Sequence, residues 1–349
     1  MEKKKTRLYP FYSGKKFFNN SAEKKHASII PSLAIFINTI LKKGFSSKKE
    51  QSRWVDISEH PPTSVQPTIT WLGHSTFLIQ IANVNILTDP IFGGMLPLFP
   101  RMLPVGIPFK QLPQIHVVLI SHNHRDHMDE KSLMQLKDRF NPAIYVPMGD
   151  KRWFDKRGFK AVSDHTWWEK IQYRINKEEE NFLSFSFLPA HHWSQRVLFR
   201  RNCSLWGSWM ISYKGQDIYF AGDSAYDSHF KAIAKVFPNI VAALLPIGPC
   251  KPAKWLKHSH MDIADSIQAF VDLGAQKFIP MHWGTFGFGF DRFDEPIREL
   301  IKLWSVFDLD DEKLFLAKVG QQIAMQEMSK EQQLPFYKKE NLDKKDLQI

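Results

Sequence analysis

The chain has 349 residues, of which 43% are hydrophobic, so it can bury one large core, and its formal net charge is +11 at pH 7. Residues 1–50 hold 12 Lys or Arg against 3 acidic residues, a balance of +9, and the rest of the chain contributes only +2. This distribution argues against a nucleic-acid groove on the body of the protein. The two cysteines lack CxxC spacing, which argues against a disulfide framework and a cysteine zinc site.

Residues 1–52 are interpreted as a basic N-terminal extension. Five apolar residues in it recur at helical spacing and predict an amphipathic helix: Leu33, Phe36, Ile37, Ile40 and Leu41. The apolar run is too short to cross a bilayer, and the first 28 residues are too polar for a secretory signal. The predicted helix either lies on a membrane surface or packs against the body or a second protomer.

From Thr68 onward the sequence has the alternating pattern of strands, which are predicted at Thr70–Leu72, Phe77–Ile81 and Val84–Leu87. The next segment, 93–113, is a loop by its prolines and glycines but is unusually apolar. Because loops ordinarily expose polar side chains, this one is expected either to pack down as a lid or to contact lipid.

The segment VVLISHNHRDH, residues 117–127, carries the most specific pattern in the chain. Val117–Ile120 is a short apolar run typical of a strand buried on both faces, and a loop with His122, His124, Asp126 and His127 follows it. Imidazole and carboxylate groups suit zinc, and four such groups within six residues are too close to converge on one ion. The pattern therefore predicts two metal ions about 3.5–4 Å apart, as in two-metal hydrolytic sites.

The remainder of the chain alternates helices and strands, as in an α/β protein. Helices are predicted from Asp129 to Arg139, Arg152 to Lys156 and Asp262 to Leu273. Strands are predicted at Ile144–Val146, Phe182–Leu188, Ser208–Tyr213, Asp217–Phe220, Leu244–Ile247 and Phe278–Met281. Further ligand-type residues follow several of these strands: His191, His192, Asp223, His258, His260 and His282.

Eight motifs between residues 70 and 286 occur in the order of a known protein family: TWLGHSTFLI, LTDPIF, LISHNHRDH, HHWS, LWGSW, FAGDS, LPIG and MHWGTF. On these motifs the chain resembles the metallo-β-lactamase superfamily, whose pattern is HxHxDH. Within it, the chain most resembles the zinc-dependent N-acyl-phosphatidylethanolamine-hydrolysing phospholipase D family. The resemblance implies an α/β fold, the αββα sandwich, with two mixed β-sheets inside and helices outside, over residues 53–327. The polar tail, residues 328–349, is expected to be disordered.

The resemblance also implies the ligand set of two zinc ions, with another divalent metal as the alternative. His122, His124 and His192 are expected to hold one ion, Asp126, His127 and His282 the other, and Asp223 to bridge them. Family register places the third histidine of the first ion just before a tryptophan, which selects His192 and leaves His191 as the alternative. Asp89 is expected to support the ligands, and His74 either to do the same or to be a hydrogen-bonded core histidine. In catalysis Asp223 is expected to accept a proton from the nucleophile, and His260 to donate to a phosphoryl oxygen or position the substrate, unless it only marks the entry to a helix.

The function implied is hydrolysis of the headgroup-side phosphodiester of N-acyl-phosphatidylethanolamine, through a metal-bridging hydroxide, to phosphatidic acid and N-acylethanolamine. The expected partners are a phospholipid substrate and a membrane surface, with no nucleic acid and with a homodimer left open. A cytoplasmic protein, free or peripheral on a membrane, is expected. Two alternatives stay open: a soluble hydrolase resembling the sugar-phosphate lactonases, and a zinc-stabilised membrane-binding protein without turnover.

Overall fold

The structure of the protein is a computed structural model that describes residues 8–19, 48–56, 63–95, 101–175 and 181–325. The amphipathic helix predicted at residues 33–41 and the tail predicted at 328–349 lie outside the described residues. Within the described part of the chain, no helix is long and apolar enough to span a bilayer.

The described residues form short helices and strands. In chain order the strands are β1 (Phe11–Ser13), β2 (Lys16–Phe18), β3 (Thr68–Gly73), β4 (Thr76–Ile81), β5 (Val84–Thr88), β6 (Val117–Leu119), β7 (Ala143–Pro147), β8 (Val162–His165), β9 (Lys170–Arg174), β10 (Phe182–Leu188), β11 (Ser208–Tyr213), β12 (Gln216–Phe220), β13 (Ile240–Pro246), β14 (Phe278–Met281) and β15 (Gln322–Ala324). The α-helices are α1 (Lys48–Ser52), α2 (Glu130–Phe140), α3 (Lys151–Asp155), α4 (His229–Ala234), α5 (Ala253–Leu256), α6 (Ile263–Leu273) and α7 (Glu295–Val306).

Two mixed sheets form the centre of the fold. The seven-stranded sheet has the order β15-β3-β4-β5-β6-β7-β8, in which β5 to β8 are parallel and the other neighbours antiparallel. The six-stranded sheet has the order β14-β13-β12-β11-β10-β9, in which β12, β13 and β14 are parallel. Strands β1 and β2 form a separate hairpin.

Side chains of the seven-stranded sheet alternate between two apolar layers, as the two-residue period of a strand requires. In β4, Phe77 belongs to the layer between the sheets, whereas Leu78 belongs to an outer layer with Leu133 of α2. The sheets meet where the Tyr145 and Phe185 rings lie 5.5 Å apart. Both faces of this sheet are therefore covered by apolar packing.

Helices cover the outer face of the six-stranded sheet. The Phe278 ring of β14 lies 5.5 Å from Phe270 of α6 and 5.7 Å from Trp304 of α7. The Phe230 ring of α4 lies 6.3 Å from Tyr219 of β12. Burial of such side chains stabilises the layers by about 1.5–3 kcal/mol each. Helix, sheet, sheet and helix follow one another, and the predicted αββα sandwich is confirmed.

The apolar loop at 93–113 packs down where it is described. Leu103, Ile107 and Leu112 are buried in the two apolar layers. Arg101 donates to the Ile91 carbonyl at 2.5 Å and to the Gly93 carbonyl at 3.3 Å. Of the two expectations for this loop, the described residues fit packing against the body.

Candidate metal centre

The predicted site residues stand at the carboxyl ends of six strands. His74 follows β3, Asp89 follows β5, His122 to His127 follow β6, His192 follows β10, Asp223 follows β12 and His282 follows β14. The sheet orders make β3, β5 and β6 point in one direction, and likewise β10, β12 and β14. Each sheet therefore presents its site residues at a single edge, the usual position for a site in an open α/β sheet.

Three imidazoles form the first cluster. His122 Nε2 lies 2.8 Å from His124 Nδ1, and His192 Nε2 lies 3.3 Å from the same atom. Trp193 packs its ring 4.2 Å from the His124 ring. The structure thus brings His192 to this cluster, while the neighbouring His191 turns away and places Nδ1 2.8 Å from Asp227 Oδ2.

The second cluster joins Asp126, His127 and His282. His127 Nε2 lies 3.3 Å from His282 Nε2 and 3.4 Å from Asp126 Oδ2. His74, which the sequence predicts only as a supporting residue, also lies here, with Nε2 3.1 Å from Asp126 Oδ2. Its ring centroid is 4.0 Å from that of His282. The geometry makes His74 a further possible metal ligand, since the four side chains have ligand atoms within 4.8 Å of one another.

Asp223 lies between the two clusters. Its Oδ1 is 3.1 Å from His282 Nε2, and its Oδ2 is 3.3 Å from His127 Nε2. The same Oδ2 is 3.8 Å from His192 Nε2 and 3.9 Å from His122 Nε2. One carboxylate therefore faces histidines of both clusters, as a bridging ligand must.

Buried acceptors hold the far side of several of these rings. The Asp89 carboxylate lies 2.7 Å from His127 Nδ1 and accepts hydrogen bonds from Ser121 N at 2.7 Å and Ser121 Oγ at 2.5 Å. Ser121 Oγ is also 2.9 Å from His122 Nδ1, and the Ser259 carbonyl is 2.7 Å from His192 Nδ1. Such partners fix the ring orientation and the tautomer of a metal-binding histidine.

Three residues of the site have backbones in the left-handed region: His74 at φ 57°, Asp89 at φ 32° and His282 at φ 63°. Such conformations cost about 1–3 kcal/mol for non-glycine residues and concentrate at functional sites. Tertiary hydrogen bonds maintain the conformation of His74. Its amide donates to Thr285 Oγ1 at 2.6 Å, and its carbonyl accepts from the His282 amide at 3.1 Å.

The histidines of the first cluster have low pKa values, which leave their nitrogen lone pairs available. Burial lowers the pKa of His122 and His192 well below the usual value, and it lowers the pKa of His124 to about 4. Burial alone would raise the pKa of Asp126 and Asp223, but the positive charge of His127 opposes burial and holds both well below their usual range. The two carboxylates in turn raise the pKa of His127 well above its usual value, against the effect of burial. Neutral imidazoles and ionised carboxylates are the protonation states that bind metal ions.

His260 lies beside Asp223 and His192. Its Nδ1 is 3.8 Å from Asp223 Oδ2 and has no hydrogen-bond partner among the described residues, although the atom is buried. Burial lowers the pKa of His260 to about 4, so the ring is neutral near pH 7. A neutral imidazole in this place can donate one hydrogen bond to a bound ligand.

Ser121, Ser259 and Thr285 also support the site but are not predicted as site residues from the sequence. Ser259 acts through its backbone carbonyl, which carries no residue-type signal. Thr285 contacts His74 across 211 residues. The role of Ser121 could have been predicted from the sequence, because this residue adjoins His122 at the end of a buried strand.

The donor set fits a pair of divalent metal ions. Histidine nitrogens 2.8 and 3.3 Å apart with neutral rings bring lone pairs together, an arrangement that a cation between them stabilises. Asp223 Oδ1 is buried and lies 3.1 Å from His282 Nε2, but no hydrogen bond of suitable geometry reaches it from the described residues, which leaves a lone pair for coordination. Imidazole and carboxylate ligands suit zinc, and no cysteine contributes.

Comparison with known proteins agrees with this fold. A family model described as a beta-lactamase superfamily domain matches residues 84–283. Igni18, a metallo hydrolase from the archaeon Ignicoccus hospitalis, has a similar fold with a TM-score of 0.57 at 20% identity, over 74% of this chain and 97% of that chain. The chain therefore belongs to the metallo-β-lactamase superfamily, and its fold and clustered histidines and aspartates are those of a metal-dependent hydrolase.

Two curated relatives narrow the resemblance. The mitochondrial N-acyl-phosphatidylethanolamine-hydrolyzing phospholipase D of Saccharomyces cerevisiae is 33% identical over 265 residues, 71% of this chain and 56% of the relative. The corresponding phospholipase D 1 of Caenorhabditis elegans is 28% identical over 246 residues, 67% of this chain and 68% of the relative. The aligned part thus spans little more than half of the yeast protein.

Proposed function

We propose that residues 53–327 form a zinc-dependent phosphodiesterase that hydrolyses N-acyl-phosphatidylethanolamine to phosphatidic acid and N-acylethanolamine. The observation that carries this proposal is the convergence of seven ligand-type side chains where strand ends of the two sheets meet. The names of the yeast and nematode relatives, at 33% and 28% identity, support the choice of substrate.

In this proposal His122, His124 and His192 would hold one zinc ion. Asp126, His127 and His282 would hold the second, and Asp223, whose carboxylate faces both clusters, would complete the donor set. Bound zinc would withdraw charge from a phosphoryl oxygen and lower the pKa of water toward neutrality. His74 and Asp89 position the second group of ligands, through the 3.1 Å contact with Asp126 and the 2.7 Å contact with His127.

The side chains of the protein have separate tasks in the reaction. Water attacks phosphorus, the bond from phosphorus to the ethanolamine oxygen breaks, and that oxygen receives a proton. Asp223 is positioned to accept the proton of the attacking water, because its carboxylate faces both clusters. His260, neutral and 3.8 Å from Asp223, donates a hydrogen bond to a phosphoryl oxygen.

The test uses purified zinc-loaded protein with phosphatidylcholine vesicles that contain N-acyl-phosphatidylethanolamine, in water enriched in oxygen-18. We expect phosphatidic acid that carries the heavy oxygen, together with unlabelled N-acylethanolamine, by mass spectrometry. Asp223→Asn removes the ionised carboxylate and should slow product formation by roughly 100-fold or more. The matched control is Asp138→Asn, on the exposed side of α2, and it should form product at the rate of the wild type.

Two outcomes contradict the proposal in different ways. Release of free fatty acid instead of N-acylethanolamine would show an acyl hydrolase. If the lipid stays intact while bis(4-nitrophenyl) phosphate or a lactone is cleaved, the result would support the metal site and reject the lipid substrate.

A further inference from the structure

The segment that follows His192 carries the most exposed apolar residues of the described chain. This tip loop, residues 195–201, has the sequence QRVLFRR. Val197 is 58% exposed, Leu198 71% and Phe199 90%. Such a contiguous apolar tip on a protein surface marks a contact site for another molecule.

The tip loop has a fixed base. The Asn202 amide donates to the Ser194 carbonyl at 2.7 Å, and Ser194 Oγ donates to the Ser204 carbonyl at 2.5 Å. The Arg200 amide closes a turn with the Val197 carbonyl at 3.1 Å. Phe199 has a φ of 64°, a strained value for a bulky residue, and its ring points into solvent. The loop therefore presents its apolar side chains and does not bury them.

Arginines connect the tip loop to the metal centre. The Arg196 guanidinium donates to the Met128 carbonyl at 2.6 Å and lies 4.5 Å from the Trp153 ring centroid. The Arg201 guanidinium lies 4.3 Å from the Trp193 ring, which itself packs against His124. Arg200 is exposed at the tip. Cationic and apolar side chains are thus interleaved next to the first cluster.

The hairpin of β1 and β2 adjoins the base of the same loop. The Phe17 amide donates to the Asn202 carbonyl at 2.9 Å, and Asn19 Nδ2 donates to the His192 carbonyl at 3.0 Å. The hairpin exposes Phe11, at 60%, and Tyr12, at 57%, together with Lys15 and Lys16. A second element with aromatic and cationic side chains therefore contacts the loop.

We propose that the tip loop and the hairpin of β1 and β2 form a docking surface for an anionic phospholipid bilayer. Apolar side chains would enter the acyl boundary, while the exposed Arg200, Lys15 and Lys16 would pair with phosphate headgroups. A second copy of the chain is a poorer occupant, because a symmetric contact would bring the arginines of two copies together. The inference rests on the proposed function, since docking here would place a phospholipid beside His124 and His192.

The test measures binding of the zinc-loaded protein to vesicles of phosphatidylcholine alone and of equal parts phosphatidylcholine and phosphatidylglycerol. The double variant Leu198→Gln, Phe199→Asn removes the apolar tip, and asparagine tolerates the positive φ of residue 199. We expect about tenfold weaker binding to the anionic vesicles. Arg200→Gln should weaken it about fivefold, with less sensitivity to salt.

A matched control is Val306→Gln, Phe307→Asn, which removes two exposed apolar side chains at the end of α7 and should bind like the wild type. Zinc content and hydrolysis of bis(4-nitrophenyl) phosphate should be unchanged in every variant. Undiminished vesicle binding by the tip variant would overturn the docking surface, even if lipid is hydrolysed. A dimer of the wild type in sedimentation velocity that is lost only in the tip variant would also overturn the docking surface. Tip-dependent binding without phosphatidic acid would support docking and reject the proposed substrate.

Discussion

Four aspartates at or near the metal centre differ in pKa because burial and charged neighbours are balanced differently at each of them. His127 holds the pKa of Asp126 and Asp223 well below the usual range, against the effect of burial. The Asp150 carboxylate accepts a hydrogen bond from Asn123 Nδ2 at 2.9 Å, and burial raises its pKa to about 7 against the smaller opposing effect of Arg196. Burial also raises the pKa of Asp89. Burial raises the pKa at each position, and the outcome depends on whether charged neighbours outweigh it: His127 with His74 or His282 does so at Asp126 and Asp223, whereas the His127 contact alone does not at Asp89.

Asp150 predicts a pH dependence of stability. Its pKa is about 7 in the folded state, whereas the ordinary value for an aspartate is 3.8. The folded state therefore holds the proton more tightly than the unfolded chain does. This contribution to the free energy of unfolding is fully present below pH 3.8 and is lost as the pH rises through 7. The difference amounts to roughly 4 kcal/mol. Asp150→Asn keeps an oxygen for Asn123 and cannot ionise, so the variant should gain stability relative to the wild type from pH 5 to pH 8.

Urea unfolding at several pH values measures this difference directly. Protonation of the metal ligands at low pH affects both proteins alike, so the difference between them isolates Asp150. A constant difference across this range would mean that the carboxyl group titrates normally.

At the scale of elements, the site depends on a close approach of the two sheets. Gly222, just after β12, has a φ of 58°, and a Cβ there would lie 2.4 Å from Ser121 Cβ and 2.7 Å from Ser121 Oγ. Ser121 follows β6 and donates to Asp89 at 2.5 Å. Only glycine therefore allows Asp223 to approach the loop after β6 so closely.

Replacement of this glycine separates steric contact from backbone strain. Gly222→Ala should displace Ser121, weaken zinc binding by roughly 10-fold or more, and lower activity accordingly. The matched control is Gly215→Ala in the turn before β12, where φ is 77° but no atom lies within 4 Å of the added Cβ. It should lose only about 1–2 kcal/mol of stability. Equal zinc affinities in the two variants, by competition with a chelating dye, would contradict the close approach.

The sequence predicts the strands that end at the site because their apolar runs stop at polar, ligand-type residues. It does not predict β8 and β9, whose sequences VSDH and KIQYR are partly polar because both strands lie at sheet edges. Helix α7 is also not predicted, although its buried residues recur at helical spacing. The contact of His74 with Asp126 joins residues 52 apart through a left-handed backbone, and no local pattern encodes it.

At the scale of the whole molecule, each sheet supplies part of the candidate ligand set. His122, His124, Asp126 and His127 come from the seven-stranded sheet, and His192, Asp223 and His282 come from the six-stranded sheet. Bound metal would therefore link the two inner layers of the sandwich. Metal affinity and resistance to unfolding should consequently rise together, because the unfolded chain does not hold these residues near one another.

Removal and return of zinc tests this linkage. Free zinc at about 100 times its Kd stabilises the folded state by about 2.7 kcal/mol, which should raise Tm by roughly 5 °C above that of the chelator-treated protein. Magnesium should not reproduce the shift, because imidazole ligands favour zinc. His192→Asn and His282→Asn each remove one ligand contributed by the six-stranded sheet, and each should lose a large part of the shift. If both variants kept the full shift in scanning calorimetry, zinc would be stabilising the protein from some other site, and the sheets would not be joined through these residues.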